Sequence, residues 1–159
     1  MVPNTLGGEI PTSIPSGNTA VIERLKYWIA EDPKSGRAFL KRVGTALPLQ
    51  SIRIERLDKN TPQSSLPVLL APILAGEDAG LLSEAGCPAV ADPGSALIRL
   101  AHANAVRVHP LVGPSSLILA LMASGLEGQR FSFHGYLPVA EAALEAKLRL
   151  LELESRKNC

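Results

Sequence analysis

An α/β fold, with a mostly parallel open sheet and flanking helices, is predicted by three features of this 159-residue sequence. Short apolar runs alternate with helical patterns of about ten residues, and strands separated by such helices pair in parallel through crossovers rather than as hairpins. Turn residues punctuate the joins, as in Asp92-Pro93-Gly94 and Gly113-Pro114. The stretch 61–138 holds only 8 charged residues in 78, against 15 in residues 1–60, which marks it as the core.

Taken in order, the first strand is expected at 27–30 (YWIA), closed by Glu31 and Asp32. The second lies within 51–57 (SIRIERL), where Ile52, Ile54 and then Arg56 fall on one face. The third is 79–82 (AGLL), and a fourth is expected at 106–112 (VRVHPLV). Helices are expected over 19–26, 35–43, 62–74, 95–103 and 114–124. Pro114 suits a first helical position, Asp92 a turn or cap, and Gly125 a left-handed C-terminal cap. Residues 110–126 run 17 positions without a charge. That is short of the ~20 apolar residues a membrane helix needs, so a helix buried inside the domain is expected there. Residues 130–138 (RFSFHGYLP) read as a strand or linker leaving the domain. A helix over 139–155 follows, with Leu144, Leu148 and Leu151 on one face. That stripe needs a partner, so the helix either folds back or belongs with a layer outside the chain.

Composition narrows the functional classes. A hydrophobic fraction of 46% with a net charge of +1 excludes a disordered chain and a polycationic nucleic-acid coat. Two cysteines, Cys87 and Cys159, are too few for a disulfide scaffold or a zinc cluster. The first residues carry neither a basic nor an apolar segment of a signal peptide, so a cytoplasmic, reduced protein is expected. Dinucleotide, P-loop, zinc-protease and nucleophile-elbow motifs are absent. His102, His109 and His134 lack metal-ligand spacing, and no metal is expected.

In an open parallel sheet, ligands bind beyond the carboxyl ends of the strands. Loops 31–34, 83–94 and 113–116 follow expected strands and should converge on one edge. Gly86-Cys87-Pro88 with Asp92-Pro93-Gly94, followed by Gly113-Pro114-Ser115-Ser116, is the informative constellation. Small residues let backbone approach a ligand closely. Tight βα turns would use the same residues, and spacing alone leaves both readings open. Lys34, Arg37 and Lys41, next to Arg42, share a helical face that could meet RNA phosphates, though a solvated face accounts for it as well.

The block from Gly80 to Pro138 resembles the tetrapyrrole (corrin/porphyrin) methylase superfamily. It is most similar to the branch of ribosomal RNA cytidine 2′-O-methyltransferases. The resemblance rests on Ala85-Gly86-Cys87-Pro88 through Asp92-Pro93-Gly94, on Val112-Gly113-Pro114-Ser115-Ser116, on Ala30-Glu31-Asp32-Pro33-Lys34 with Arg37, and on Val2-Pro3-Asn4-Thr5-Leu6-Gly7 as a first glycine-rich loop. It implies S-adenosyl-L-methionine held between two α/β domains, contacted by Leu6, Gly86, Cys87, Pro88, Ser116 and Leu117. It also implies a homodimer and ribosomal RNA as partner. Residues 1–138 would be the N-terminal cofactor-binding domain, and 139–159 the linker and first helix of a truncated second domain. Methyl transfer to a hydroxyl needs alignment and a base rather than a covalent nucleophile. Glu31, Asp32 and Glu84, at expected strand ends, are the candidate bases, and Cys87 is expected to be a small residue packed beside the cofactor. A non-catalytic binding or dimerisation module, and a methylase of a tetrapyrrole or another small molecule, are the alternatives.

Overall fold

The computed structural model describes residues 1–157, so Cys159 lies outside the described residues. It holds two compact units, Met1–Gly125 and a second beginning at Leu126. In the first, two helices, α1 (Ile10–Ser13) and α2 (Ser16–Ile22), precede β1 (Tyr27–Ala30). Then come α3 (Pro33–Val43), β2 (Arg53–Arg56), α4 (Leu66–Leu74), β3 (Ala79–Leu82), α5 (Ser95–Ala103) and α6 (Ser116–Ser124). The sheet is parallel in the order β2-β1-β3, with Tyr27 opposite both Arg53 and Ala79. This is the α/β open parallel sheet that the alternation of runs predicted.

β1, the centre of the sheet, is buried on both faces, while the edge strand β2 is largely exposed. All four β1 residues are buried, and the two-residue period sends them to different layers. Trp28 and Ala30 pack with Ile22, Leu25, Phe39 and Leu40, from the α2 and α3 side. Tyr27 and Ile29 pack with Leu66, Leu69, Leu70, Leu97 and Ala101, from the α4 and α5 side. Two glycines permit this closeness. A Cβ on Gly80 would lie 2.5 Å from the Trp28 ring, and one on Gly36 would lie 3.0 Å from the Ala30 methyl. Tyr27 donates its hydroxyl to the Leu69 carbonyl at 2.9 Å, and the Trp28 indole N–H donates to the Leu25 carbonyl at 3.2 Å, so neither ring buries an unpaired polar atom.

Several expectations need correction. Residues 106–112 form no strand. Their strand-like bonds run to Met1: the Leu111 N–H donates to the Met1 carbonyl at 3.0 Å, the Met1 ammonium donates to the His109 carbonyl at 2.7 Å, and Pro110 has no N–H to give. Val2 in turn forms an isolated parallel bridge to Leu82. Two segments thus continue the sheet's direction without a ladder. The helix at 114–124 begins at Ser116, with Ser115 as N-cap, so Pro114 precedes the cap instead of occupying the first turn. It is also not buried: α6 has no buried residue, and Ile118, Leu119 and Met122 are exposed. An apolar composition drives burial only where a second layer exists to receive it. For the same reason the core runs from Val2 to Ala101, not through the whole low-charge stretch 61–138.

Other boundaries shift by a few residues. The expected helix 19–26 ends at Ile22, and 62–74 opens with a 3₁₀ turn over Gln63–Ser65. The helix expected from 35 starts at Pro33, because Asp32 caps it. Arg56 is exposed, paired with Asp32 and Asp58 at 3.4 and 3.6 Å, and does not share the buried side of Ile52. Asp92 lies in a turn but caps nothing, since the N-cap of α5 is Gly94. Gly125 closes α6 in the left-handed region, φ +68°, as its position predicted.

In the second unit, residues 130–138 are irregular and expose Phe131, Phe133 and Tyr136. The helix α7 (Glu141–Lys157) carries the i,i+4 pairs Glu145–Arg149 and Glu152–Arg156, both at 2.6 Å. Leu144 and Leu151 are half-buried, and Leu148 is exposed.

Candidate functional site

The carboxyl ends of β1 and β3 lie side by side, joined beyond the ladder by Glu31 N–H donating to the Leu82 carbonyl at 3.3 Å. The loops that leave them therefore start at one edge of the sheet. A third segment, residues 2–6, enters the same edge through Asn4. Its backbone N–H donates to the Gly86 carbonyl at 2.8 Å, and its side-chain amide donates to the Ser83 and Glu84 carbonyls at 3.1 and 2.9 Å. Asn4 is buried, and its side-chain oxygen accepts from Thr5 N–H at 2.8 Å, so the amide is fully engaged. A fourth segment closes the group. A Cβ on Gly113 would overlap Pro3, at 2.1 Å from its Cβ, so the 113–114 backbone lies directly on the 2–6 segment. The Cys87 thiol donates to the Pro114 carbonyl at 3.4 Å.

The loop after β3 is held in uncommon backbone. Gly86 (φ +65°) takes a conformation that glycine adopts without strain, but Ala89 (φ +67°) and Ala91 (φ +58°) take it with a side chain. Such strain persists where the surroundings over-determine the geometry, and it concentrates at ligand sites. A Cβ on Gly86 would stand 3.3 Å from Leu6 Cδ2 and 3.5 Å from the Pro114 carbonyl oxygen. Leu6, Gly86, Cys87 and the Pro114 backbone are thus neighbours. Pro88 is buried in the same loop. Ser116 and Leu117 open α6 two residues beyond Pro114, with Ser116 exposed. The three loops that the sequence placed at one edge do meet there.

Carboxylates rim this edge. The Glu31 carboxyl is held above its ordinary pKa, first by burial and then by the charges of Asp92 and Glu84; a bond from the Glu84 backbone N–H partly offsets this. Asp92 is raised as well, chiefly by burial, with the Ser83 hydroxyl bond opposing and the Glu84 charge adding. Asp32 is different. It accepts from the Ser35 N–H at 2.9 Å and the Ser35 hydroxyl at 3.0 Å, and those bonds lower its pKa. Asp32 is therefore occupied as the cap of α3, while Glu31 and the exposed Glu84 lie on the loop side. A carboxylate whose pKa is raised toward neutrality is better matched to accepting a hydroxyl proton.

Sequence reasoning missed Asn4, Asp92 as part of the acidic rim, and the strained alanines. Asn4 stood within the expected first glycine-rich loop, but its partners lie 79 and 80 residues away. On α3, Lys34, Arg37 and Lys41 are exposed. Arg37 reaches the Leu49 carbonyl at 3.1 Å and Arg42 the Gly8 carbonyl at 2.9 Å. Among the described residues, no group of three or more His, Cys, Asp or Glu is placed to hold a metal ion. No described helix is long and apolar enough to cross a membrane.

No family model matches the chain. Individual relatives do. The chain is 37% identical over 127 residues to the ribosomal RNA small subunit methyltransferase I of Xylella fastidiosa (strain Temecula1), an alignment covering 80% of this chain and 45% of that protein. It is 32% identical over 155 residues to the protein of the same name from Escherichia coli O157:H7, covering 92% and 52%. The Pseudomonas aeruginosa protein of that name is 32% identical over 136 residues, covering 86% and 46%. The chain spans about half the length of the curated relatives it matches. Over these stretches the chain is homologous to the ribosomal RNA small subunit methyltransferases I.

Proposed function

We propose that this chain carries the S-adenosyl-L-methionine-binding half of an RNA ribose 2′-O-methyltransferase, acting in the cytoplasm on ribosomal RNA. The observation that carries the reading is the meeting of Leu6, Gly86, Cys87 and the Pro114 backbone around a loop held at positive φ. Gly86 lets Leu6 and the Pro114 backbone close on this loop, since a Cβ there would stand 3.3 Å from Leu6 Cδ2. Leu6, 39% exposed, offers an apolar surface, and Ser116 offers a hydroxyl and a helix N-terminus. Leu6, Gly86, Cys87, Pro88, Ser116 and Leu117 would hold the cofactor.

When bound, S-adenosyl-L-methionine supplies an electrophilic methyl group. The chain's own residues have to position it and take up the acceptor proton. Glu31 is the best placed of the three candidate bases, because burial and two neighbouring carboxylates already favour its protonated form. Glu84 would keep that bias in place through its charge. Asp32 supports the loop through the α3 cap. Cys87 packs rather than attacks, with its thiol committed to backbone carbonyls. The exposed cations Lys34, Arg37 and Lys41 would meet RNA phosphates. Residues 1–138 are read as the cofactor-binding domain and 139–159 as a linker and the first helix of a second one. A homodimer is proposed, and the exposed apolar residues of α6 favour it.

Isothermal titration of the chain with S-adenosyl-L-methionine tests the reading, with Gly86→Val as control. A branched side chain at φ +65° and against Leu6 should weaken binding at least tenfold while the helical circular dichroism is kept. Equal binding by both proteins would refute the placement.

A further inference from the structure

The four carbonyls that follow β3 are all engaged. Those of Ser83 and Glu84 accept from the Asn4 side-chain amide, at 3.1 and 2.9 Å. The Ala85 carbonyl accepts from the Ser83 hydroxyl at 3.1 Å, and the Gly86 carbonyl from the Asn4 backbone N–H at 2.8 Å. One residue from a distant part of the chain therefore holds three of the four. Asn4 is itself fixed: it is buried, both of its amide hydrogens are used, and its oxygen accepts from Thr5 N–H at 2.8 Å. An apolar side chain of similar size would fill the same space without orienting any peptide.

That orientation has a consequence on the opposite side of the segment. A peptide unit is planar and trans, so its N–H points away from its own C=O. Turning the Ser83 carbonyl to Asn4 turns the Glu84 N–H the other way. Glu31 stands there. Its backbone N–H meets the Leu82 carbonyl at 3.3 Å, and its carboxyl receives the Glu84 N–H.

We propose that Asn4 is a positioning residue for methyl transfer: by holding the Ser83 and Glu84 carbonyls it aims the Glu84 N–H at the Glu31 carboxylate. Asn4 acts through the Glu84 peptide rather than on the reacting atoms, a role that rests on the reading of Glu31 as the base. The surroundings of Glu31 show why such a donor is needed. Burial, Asp92 and Glu84 in the loop after β3, and Asp58 in the segment after β2 all favour the protonated carboxyl. Arg56 is paired with Asp32 and Asp58. The Glu84 N–H works against these effects and favours the ionised form. A protonated carboxyl cannot take up a hydroxyl proton, so a base in this setting depends on that donor being aimed.

A ¹³C-detected titration of the Glu31 carboxyl in the 159-residue chain reads the coupling. In Asn4→Leu, which has no donor, the acid dissociation constant of Glu31 should fall several-fold, because the N–H that favours the carboxylate is no longer held in place. Asn4→Thr keeps one donor, and its constant should lie between those of the parent and Asn4→Leu. A purely structural Asn4 would lower the melting temperature of both variants but leave the Glu31 constant unchanged in the folded protein, and that result overturns the proposal. A second measurement needs no change at Asn4. In the ¹⁵N-labelled parent, the Asn4 side-chain amide and the Glu84 backbone amide should shift together at the Glu31 midpoint, and Glu31→Gln should remove that step. Its absence from the parent overturns the proposal even if Asn4→Leu does not fold. Titrating the parent with S-adenosyl-L-methionine separates the two readings. If the cofactor binds but Glu31 is indifferent to Asn4, the positioning role falls and the cofactor reading stands. If Glu31 follows Asn4 but no cofactor binds, the positioning of Glu31 is supported and the cofactor reading falls.

Discussion

At the scale of single residues, Glu31 carries the most specific expectation. Its folded pKa is raised above the ordinary carboxylate value by burial and by Asp92 and Glu84. The folded state therefore holds the proton more tightly than the unfolded chain, so the group favours folding at low pH and loses that contribution as pH rises through the folded value. Glu31→Gln, which stays neutral, should be more stable relative to the parent at pH 7 than at pH 4. Thermal melts across that range check the sign. A gain that is largest at pH 4 would contradict it. Methyl transfer, measured with the relatives' second half supplied, should fall by about 10²-fold or more if Glu31 is the base. Gly80 makes the complementary point about packing. An added Cβ would sit 2.5 Å from the ring of Trp28, which is 1% exposed and has no room to retreat. Gly80→Ala should cost about 1–3 kcal/mol in denaturant unfolding, the usual range for overpacking. A neutral result would mean the two layers on β1 are looser than they look.

At the scale of elements, the order of strands and helices was legible where a segment's own pattern decides its fate. The run YWIA became the central strand because four apolar residues can be buried on two faces only at the middle of a sheet. The α5 helix appears at the expected residues. Asp32 shows how a boundary is set by chemistry that a hydrophobic pattern does not carry. Its carboxylate accepts from Ser35 N–H, and that moves the start of α3 two residues ahead of the expected one. Asp32→Ala should destabilise the chain and Asp32→Asn much less, since Asn also caps; melts at pH 7 compare them. If the two variants lose equally, the Arg56 ion pair rather than the cap is what matters. The failures were elements whose state depends on a neighbour. The alternation in 106–112 is real, but a strand needs a ladder, and its strand-like bonds are the two to Met1. The sequence SLILALMAS is apolar all round, yet nothing in it says whether a layer covers it, and α6 is exposed.

At the scale of the whole unit Met1–Gly125, the candidate site was legible as a location but not as a geometry. Loop positions after parallel strands, with glycine and proline in them, pointed to one edge of the sheet, and the loops meet there. What the sequence could not supply is the part made by long-range contacts: Asn4 clamping the Ser83 and Glu84 carbonyls, Pro3 lying under Gly113, and Asp92 joining Glu31. The proposed cofactor site depends on all of these at once. The most direct measurement is therefore a residue-resolved one: S-adenosyl-L-methionine added to the ¹⁵N-labelled chain, with amide shifts followed to saturation. The account predicts that the shifts concentrate at Leu6, Gly86, Cys87, Ser116 and Leu117, and leave Ala79 and residues 106–109 unmoved. A spectrum that does not change at millimolar cofactor, or that changes away from that loop cluster, would contradict it.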